Sequence, residues 1–385
     1  MKTIAVIFGG KSTEHDVSIV TAIASIIKPL ELTKQYKVEA VYIAKDGSWF
    51  WDDKLKDIKL YQSGEIEDFM RRAPKVQLQF DNGLVLVKSS QFAGRKMYKK
   101  IDVVFPATHG THGEDGELMG LLEMADVAYV GCGMVASALS MDKVLAKQVT
   151  GSAGIPSSRW VSFSADELAQ NHKGVLDSIR SLKYPLFVKP AHLGSSIGIS
   201  RVENEKELAN ALEVAVHYDD KVIVEEAVNN LIEVTLPIIG NKDLTPAMLE
   251  QPLTRPEDFF DFETKYMQGG KKGKGGAKGA QGYSQIPADL PKDLYKKAEQ
   301  LGLDVYRALG CAGIARVDML IDSKAGKVYF NEVNPLPGGL YAHNWAKAGI
   351  SNVDLVGRLV DLAEERFAAR QKLATTFSTN YLKQF

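Results

Sequence analysis

The stretch RVDMLIDSKAGKVYFNEVNPLPG, residues 316–338, decides how this chain folds. Two apolar runs, 317–321 and 328–333, flank a polar turn at 322–327 and read as a β-hairpin. Asp318 lies on the first strand, and Glu332 and Asn334 end the second. Strand side chains alternate between faces, so Glu332 and Asn334 point the same way. Arg316 shares the face of Asp318 and adds a fixed positive charge. Oxygen-bearing side chains gathered at neighbouring strand ends suit a hard cation such as Mg²⁺, which takes one or two carboxylates and completes its octahedron with phosphate oxygens and water. A surface hairpin with solvated acids would show the same residues, so the rest of the chain must decide between the two.

Upstream of the hairpin, apolar strand runs at 160–163, 185–190, 221–228 and 233–239 are interleaved with helical patterns at about 165–181 and 204–216. Amphipathic helices at 292–310 and 353–372 follow. The first third differs. TIAVIF (3–8), KVEAVYI (37–43), IDVVFPA (101–107) and VAYVG (127–131) are strands, and 16–30 carries a helical pattern. Strands alternating with helices predict a parallel sheet with helices on its faces, an α/β fold. An excursion at 46–98 contains VQLQFDNGLVLV (76–87), a hairpin turning at Asn82-Gly83. A helix at about 134–151, with Pro156 beyond it, leads into the second region. The basic, glycine-rich stretch GGKKGKGGAKGAQG (269–282) is either a surface loop or a lid whose lysines approach a polyphosphate.

At 385 residues the chain has room for two or three domains. Its 45% hydrophobic and 25% charged residues are those of an ordinary globular protein. A net charge of -1 gives no sign of nucleic acid or an acidic membrane as partner. No run reaches the roughly 18 apolar residues of a membrane span, and Ile4–Phe8 is too short for a signal peptide core. Cys132 and Cys311 lie outside any metal-ligand spacing, which predicts buried thiols in a reducing compartment and a cytoplasmic protein.

Several loops carry chemistry. GGKSTEHDVS (9–18) joins a strand to a helix, where free backbone N–H groups bind anions, whereas Glu14 would capture a cation such as a substrate ammonium. Thr13 or Glu14 as a simple helix cap is the alternative. HGTHGEDGELMG (109–120) gathers His109, His112, Glu114 and Asp115, with no further ligand to complete a zinc site, so structural contacts around the first loop are expected. In FVKPAHLGSSIGI (187–199), Lys189 at a strand end and the turn Gly194-Ser195-Ser196 offer a point charge and hydroxyl and N–H donors to phosphate. The Walker pattern GxxxxGK[ST] is absent, and GGKSTE lacks GxGxxG. VIVEEAV (222–228) is either a solvated strand end or a strand whose edge can pair with adenine, with Glu233 a few residues on for ribose hydroxyls.

HGxxGEDG at 109–116, SMDK at 140–143, VKPxxxGSSIG at 188–198, DFETKY at 261–266 and RVDML…NEVNPLPG at 316–338 stand in the order found in D-alanine–D-alanine ligases of the ATP-grasp superfamily. The chain resembles that family over nearly its whole length. The resemblance implies an N-terminal α/β domain at 1–133 and a two-subdomain ATP-grasp fold at 134–232 and 233–385, with a lid loop at 251–290. The excursion at 46–98 resembles that of longer-form members, which include D-alanine–D-lactate ligases.

The resemblance also implies roles. Lys143 and Lys189 contact ATP phosphates, and Ser196 sits in the loop over them. Glu225, Glu226 and Val228 match the adenine hinge, Glu233 the ribose contact, Phe259 an aromatic on adenine and Lys265 a lid lysine. Asp318, Glu332 and Asn334 match the ligands of two Mg²⁺ ions, with Mn²⁺ an acceptable substitute. Glu14 matches the acid holding the first D-alanine's ammonium, and Ser195, Tyr266 and Glu233 a hydrogen-bonded set linking lid to substrate. Arg316 matches the arginine that stabilises the tetrahedral intermediate. His109 is expected among the substrate contacts. The chain departs from the family at GLYAHNW, where His343 and Asn344 replace a serine-leucine pair that holds the second substrate's carboxylate; they are expected to donate to it instead, or to mark another second substrate. Tyr266 rather than histidine favours an amine over a hydroxyl nucleophile. The implied partners are ATP and D-alanine, and the implied assembly is a homodimer.

Overall fold

A computed structural model of the chain describes residues 1–89, 95–253 and 284–385. The N-terminal part is built from β1 (Lys2–Gly9), β2 (Tyr36–Ile43), β3 (Trp49–Trp51), β4 (Gln77–Phe80), β5 (Leu84–Ser89), β6 (Lys96–Ile101), β7 (Val103–Pro106) and β8 (Ala128–Tyr129). Five of these form a sheet in the order β3-β2-β1-β7-β8, parallel except for the edge strand β3. Alternation along β1 feeds two cores. Ile4, Val6 and Phe8 pack with Ile19, Ile23 and Ile26 and with Leu355 and Leu359 of the C-terminal helix Asn352–Arg370. Ala5 and Ile7 pack with Leu118, Met119 and Leu122 of the helix Glu117–Met124. A strand covered on both faces must read as one apolar run, as β1 does.

Residues 15–33 are continuously helical but pass through a π-helical segment at Thr21–Ile27. The sheet β4-β5-β6 carries the expected hairpin, and its turn places Asn82 and Gly83 at φ 46° and 121°. The single helix predicted at 134–151 is two helices, Met134–Met141 and Lys143–Ser152. The break falls at Asp142, whose carboxylate accepts from the backbone N–H groups of Val144 and Leu145 and caps the second helix.

Two antiparallel sheets follow. β9 (Trp160–Ser164), β10 (Leu186–Pro190), β11 (Ser200–Val202) and β12 (Lys221–Glu226) lie in the order β11-β10-β12-β9. Leu186, Val188, Val222 and Val224 face a core shared with Leu208 and Leu212, which leaves Lys189 and Glu225 on the other face. The third sheet contains β13 (Leu231–Gly240) and β14 (Thr245–Pro246). A separate two-stranded ladder pairs β15 (Gln251–Pro252) with β16 (Ser284–Gln285). β17 (Gly313–Asp322) and β18 (Lys327–Asn334) complete the third sheet in the order β14-β13-β17-β18. β17 starts at Gly313 rather than 317, so Asp318 stands in mid-strand and not at a strand end. Val317, Met319 and Ile321 are buried in a core with Leu294, Ala298 and Val305 of the helix Lys292–Ala308. The helix Lys143–Ser152 links the two antiparallel sheets, because Lys147 reaches Glu225 on β12 and the Phe330 carbonyl on β18.

No helix among the described residues is long and apolar enough to cross a membrane. Cys132 and Cys311 are both buried free thiols.

Candidate active site

The register of the hairpin sets the first cluster. Asp318 pairs directly with Glu332 and Arg316 with Asn334, so these four side chains share one face. Arg316 donates from Nε and Nη2 to the two oxygens of Asp318 at 2.7 and 2.6 Å, a bidentate pair. Its guanidinium lies 5.1 Å from the centre of the Tyr341 ring. Glu332 Oε2 is 3.4 Å from Lys143 Nζ. Burial raises the Asp318 carboxyl to about 6, with Glu332 and Glu250 adding to the rise and Arg316 opposing it. Burial acts the same way on Glu332, but the charges of Lys143, Lys189 and Arg316 prevail and hold it below the usual range. Asn334 Oδ1 is buried and has no hydrogen-bond partner among the described residues. An unpartnered buried acceptor beside two carboxylates is a hard-oxygen donor set of the kind a divalent cation takes.

Next to it lies a ring of donors. Lys143 donates from Nζ to the Leu193 carbonyl at 2.7 Å, and its backbone N–H donates to Ala191 O at 3.0 Å. In the turn that follows, Ser195 and Ser196 adopt φ 54° and 61°, a left-handed conformation uncommon for non-glycine residues and concentrated at ligand clamps. Ser195 Oγ donates to Glu14 Oε1. Glu14 occupies the cap position of the helix His15–Val20, yet its side chain makes no capping bond. It sits where three loops meet. A Cβ on Gly110, at φ 70°, would come 2.6 Å from Ser12 Oγ and 3.1 Å from Glu14 Oε2, so only glycine lets that loop approach.

The loop at 109–116 braces this junction from behind, as its sequence predicts. Glu114 accepts from the backbone N–H groups of Gly110 and Leu336 at 3.1 and 3.2 Å, and burial together with Glu14 pushes its carboxyl up to about 8. His109, expected as a substrate contact, is 3% exposed and hydrogen-bonded through Nε2 to Thr21 Oγ1 at 3.0 Å. Burial lowers it to about 4 and keeps it neutral. Thr21 also accepts from the Gly339 N–H, so His109 supports the π-helical segment and the 338–341 loop.

On β12, Glu225 is 1% exposed and accepts from Ser158 Oγ at 3.1 Å. Its Oε2 is 3.4 Å from Lys189 Nζ and 3.5 Å from Lys147 Nζ. Burial would raise its pKa, but the two ammonium groups outweigh burial and hold it at about 2. Lys147 was not singled out in the sequence. The available signal was its spacing of one helical turn from Lys143, which puts both ammoniums on one face. Glu226 points elsewhere, to the Lys183 N–H at 3.1 Å and Arg159 at 3.3 Å. Val228 follows the strand end, half-buried, and Glu233 lies on β13 two residues before Thr235, which pairs with Asp318. Phe259, Lys265, Tyr266 and the stretch 269–282 lie outside the described residues.

His343 and Asn344, expected beside the second substrate, both bond to Glu250. Asn344 is fully buried, and its amide bonds to the backbone N–H and carbonyl of Met248 and to Glu250 Oε2. His343 Nε2 lies 2.9 Å from Glu250 Oε2. Both side chains bond to a carboxylate of the chain itself and bracket the helix Ala342–Lys347 to residues 248–250, while His343 Nδ1 is buried without a hydrogen-bond partner among the described residues. Glu250, the residue that claims them, carries no motif that marks it in the sequence.

Models of the D-ala D-ala ligase N-terminus and C-terminus match residues 3–132 and 149–361. The chain is 38% identical to a D-alanine–D-alanine ligase of Acetivibrio thermocellus over 95% of its own length and 96% of the relative's. It is 36% identical to one from Chloroherpeton thalassium over 96% and 98%. Among solved structures, the D-alanine-D-alanine ligase of Coxiella burnetii superposes with a TM-score of 0.78 at 27% identity, covering 96% of both chains. The VanG D-Ala:D-Ser ligase of Enterococcus faecalis superposes at 0.77 and 31% identity, covering 94% of this chain and 99% of that one. With both halves matched and the acid, lysine and serine loops assembled around one face, the chain belongs to the D-alanine–D-alanine ligase family.

Proposed function

We propose that the protein joins two D-alanines into D-alanyl-D-alanine at the expense of ATP, the activity by which its relatives are named. The observation that carries this reading is the convergence of Arg316, Asp318, Glu332 and Asn334 with Lys143 and with the Ser195–Glu14 contact. A free carboxylate does not condense with an amine unaided. The γ-phosphoryl group of ATP passes to the carboxylate of the first D-alanine, the second amine attacks the acyl phosphate, and phosphate leaves.

Glu14 holds the first ammonium, and Ser195, bonded to it, carries that contact to the phosphate loop together with Glu233 and Tyr266. Lys143, Lys189 and Lys265 hold phosphate oxygens under the loop containing Ser196, since neutralising mobile charge is the main task in phosphoryl transfer. The strand end at Glu225, Glu226 and Val228 offers its backbone to adenine, with Phe259 packed on the ring, and Glu233 reaches the ribose. Arg316 supports the oxyanion when the amine adds. Asp318, Glu332 and Asn334 would hold Mg²⁺, or Mn²⁺, which would supply further positive charge to the phosphates. Residues 1–133, 134–232 and 233–385 act as three units around this site, with 251–290 as the lid that excludes water.

The test is phosphate release with product masses, using D-alanine alone and D-alanine in competition with D-serine or D-lactate at pH 8. D-alanyl-D-alanine as the majority product is expected; a majority of either mixed product overturns the assignment. Glu14→Gln should raise the KM for D-alanine by roughly tenfold or more, the worth of a hydrogen bond to a charged group, while leaving the KM for ATP near wild type. An equal rise in both constants would remove Glu14 from the ammonium site.

A further inference from the structure

The loop that carries Ser195 is anchored by a residue with no role so far. His192 lies between Ala191 and Leu193, whose carbonyls accept from the Lys143 backbone and Lys143 Nζ. Its ring nitrogens face two different carboxylates. Nδ1 is 2.9 Å from Asp219 Oδ1, and Nε2 is 3.3 Å from Asp142 Oδ2. The backbone N–H of His192 donates to Asp219 Oδ2 at 2.7 Å. An ionised carboxylate only accepts, so the imidazolium, with a proton on each ring nitrogen, is the form that satisfies both contacts. Asp142 is also the cap of the helix that begins with Lys143, and it accepts from Lys221 Nζ at 2.7 Å. One side chain therefore joins the head of that helix, the 191–198 loop and the approach to β12.

We propose that His192 is a positioning residue: its imidazolium locks residues 191–193 so that their carbonyls hold Lys143 against the nucleotide phosphates, and it sets an alkaline limit on nucleotide binding. This rests on the reading of Lys143 and the 193–198 loop as the phosphate site.

The groups facing the imidazole are Asp142 at the helix head, Asp219 and exposed Asp220 before β12, Lys221 on β12, and Glu167 on the helix Ala165–Gln170, which lines the same surface hollow. Hydrogen bonds to Asp142 and Asp219 raise His192 to about 9, against the opposing effect of burial. Because the folded pKa is raised, the clamp is intact at neutral pH and is lost as pH rises through about 9. The proton goes to solvent, and one ring nitrogen then presents a lone pair to a carboxylate. The longer bond, to Asp142, is the one expected to open.

The experiment follows the KM for ATP and the affinity for a non-hydrolysable ATP analogue with Mg²⁺ from pH 7 to 9.5, in wild type, His192→Asn and Asp219→Asn. The His192 Cε1–H proton resonance, assigned by its disappearance in His192→Asn, is titrated alongside. In wild type, nucleotide binding should weaken several-fold near pH 9, in step with the resonance, while kcat changes less. His192→Asn should bind nucleotide more weakly at pH 7 and show no change near pH 9. Asp219→Asn should move both the resonance and the binding limb to lower pH by about one unit. A resonance titrating below pH 7, or an alkaline limb that persists in His192→Asn, overturns the proposal. Nucleotide binding without ligation of D-alanine would refute the proposed function and leave the clamp standing. Absence of nucleotide binding would refute the phosphate site and the proposal with it.

Discussion

Glu332→Gln should lower kcat by on the order of 100-fold or more, the cost of removing one well-placed charge from a transition state. The melting temperature should stay within a few degrees of wild type. The side chain is about a third exposed at 34%, and the amide keeps its shape, so little packing is lost. What changes is charge. Glu332 is the acid directly across from Asp318 and the counter-charge 3.4 Å from Lys143. Without it the proposed cation site keeps one carboxylate, and the apparent affinity for Mg²⁺ should fall as well. Asp318→Asn should differ in kind. It takes the bidentate partner from Arg316, whose side chain is only 18% exposed, so stability and kcat should fall together. Wild-type turnover by Glu332→Gln at limiting Mg²⁺ would remove this face as the metal site.

The hairpin was legible because period-two alternation says which residues share a face, and a shared face is what the proposed cation site requires. Alternation does not give strand length, which is why Asp318 was read at a strand end and stands instead in the middle of β17. The parallel sheet was legible for a related reason: strands covered on both faces read as unbroken apolar runs, as at Ile4–Phe8. The helix break at Asp142 was not. Residues 134–151 keep an apolar pattern across it, and only the cap geometry shows that Asp142 begins a new helix. The contacts of His343 and Asn344 with Glu250 were not legible, because position within a motif does not say which side chain a distant segment brings against it. Glu250 comes from a different part of the chain, and no local pattern reports it. Lys147 was hidden by its type, since a lysine on an amphipathic helix ordinarily marks the solvated face, whereas this one is fully buried between two sheets.

That burial leads to the second large effect. Glu225→Gln should destabilise the protein by about 3–5 kcal/mol, the cost of stranding a buried charge without its partner. Here two ammonium groups share the one carboxylate, Lys147 at 3.5 Å and Lys189 at 3.4 Å. Lys147→Met should cost less. It removes a charge whose pKa burial already drives down, and it leaves Glu225 bonded to Ser158 and paired with Lys189. The pH dependence has a definite sign. Glu225 is depressed from its ordinary 4.5 to about 2, so its contribution is complete above 4.5 and is lost as pH falls through about 2. The stability gap between wild type and Glu225→Gln should therefore be constant from pH 7 to 5 and close in stronger acid. Chemical denaturation of the three proteins at pH 7, 5 and 3 decides the matter. A Lys147→Met variant less stable than Glu225→Gln, or a gap that widens in acid, would show that packing around the lysine, rather than the charge on Glu225, holds the helix Lys143–Ser152 between the two sheets.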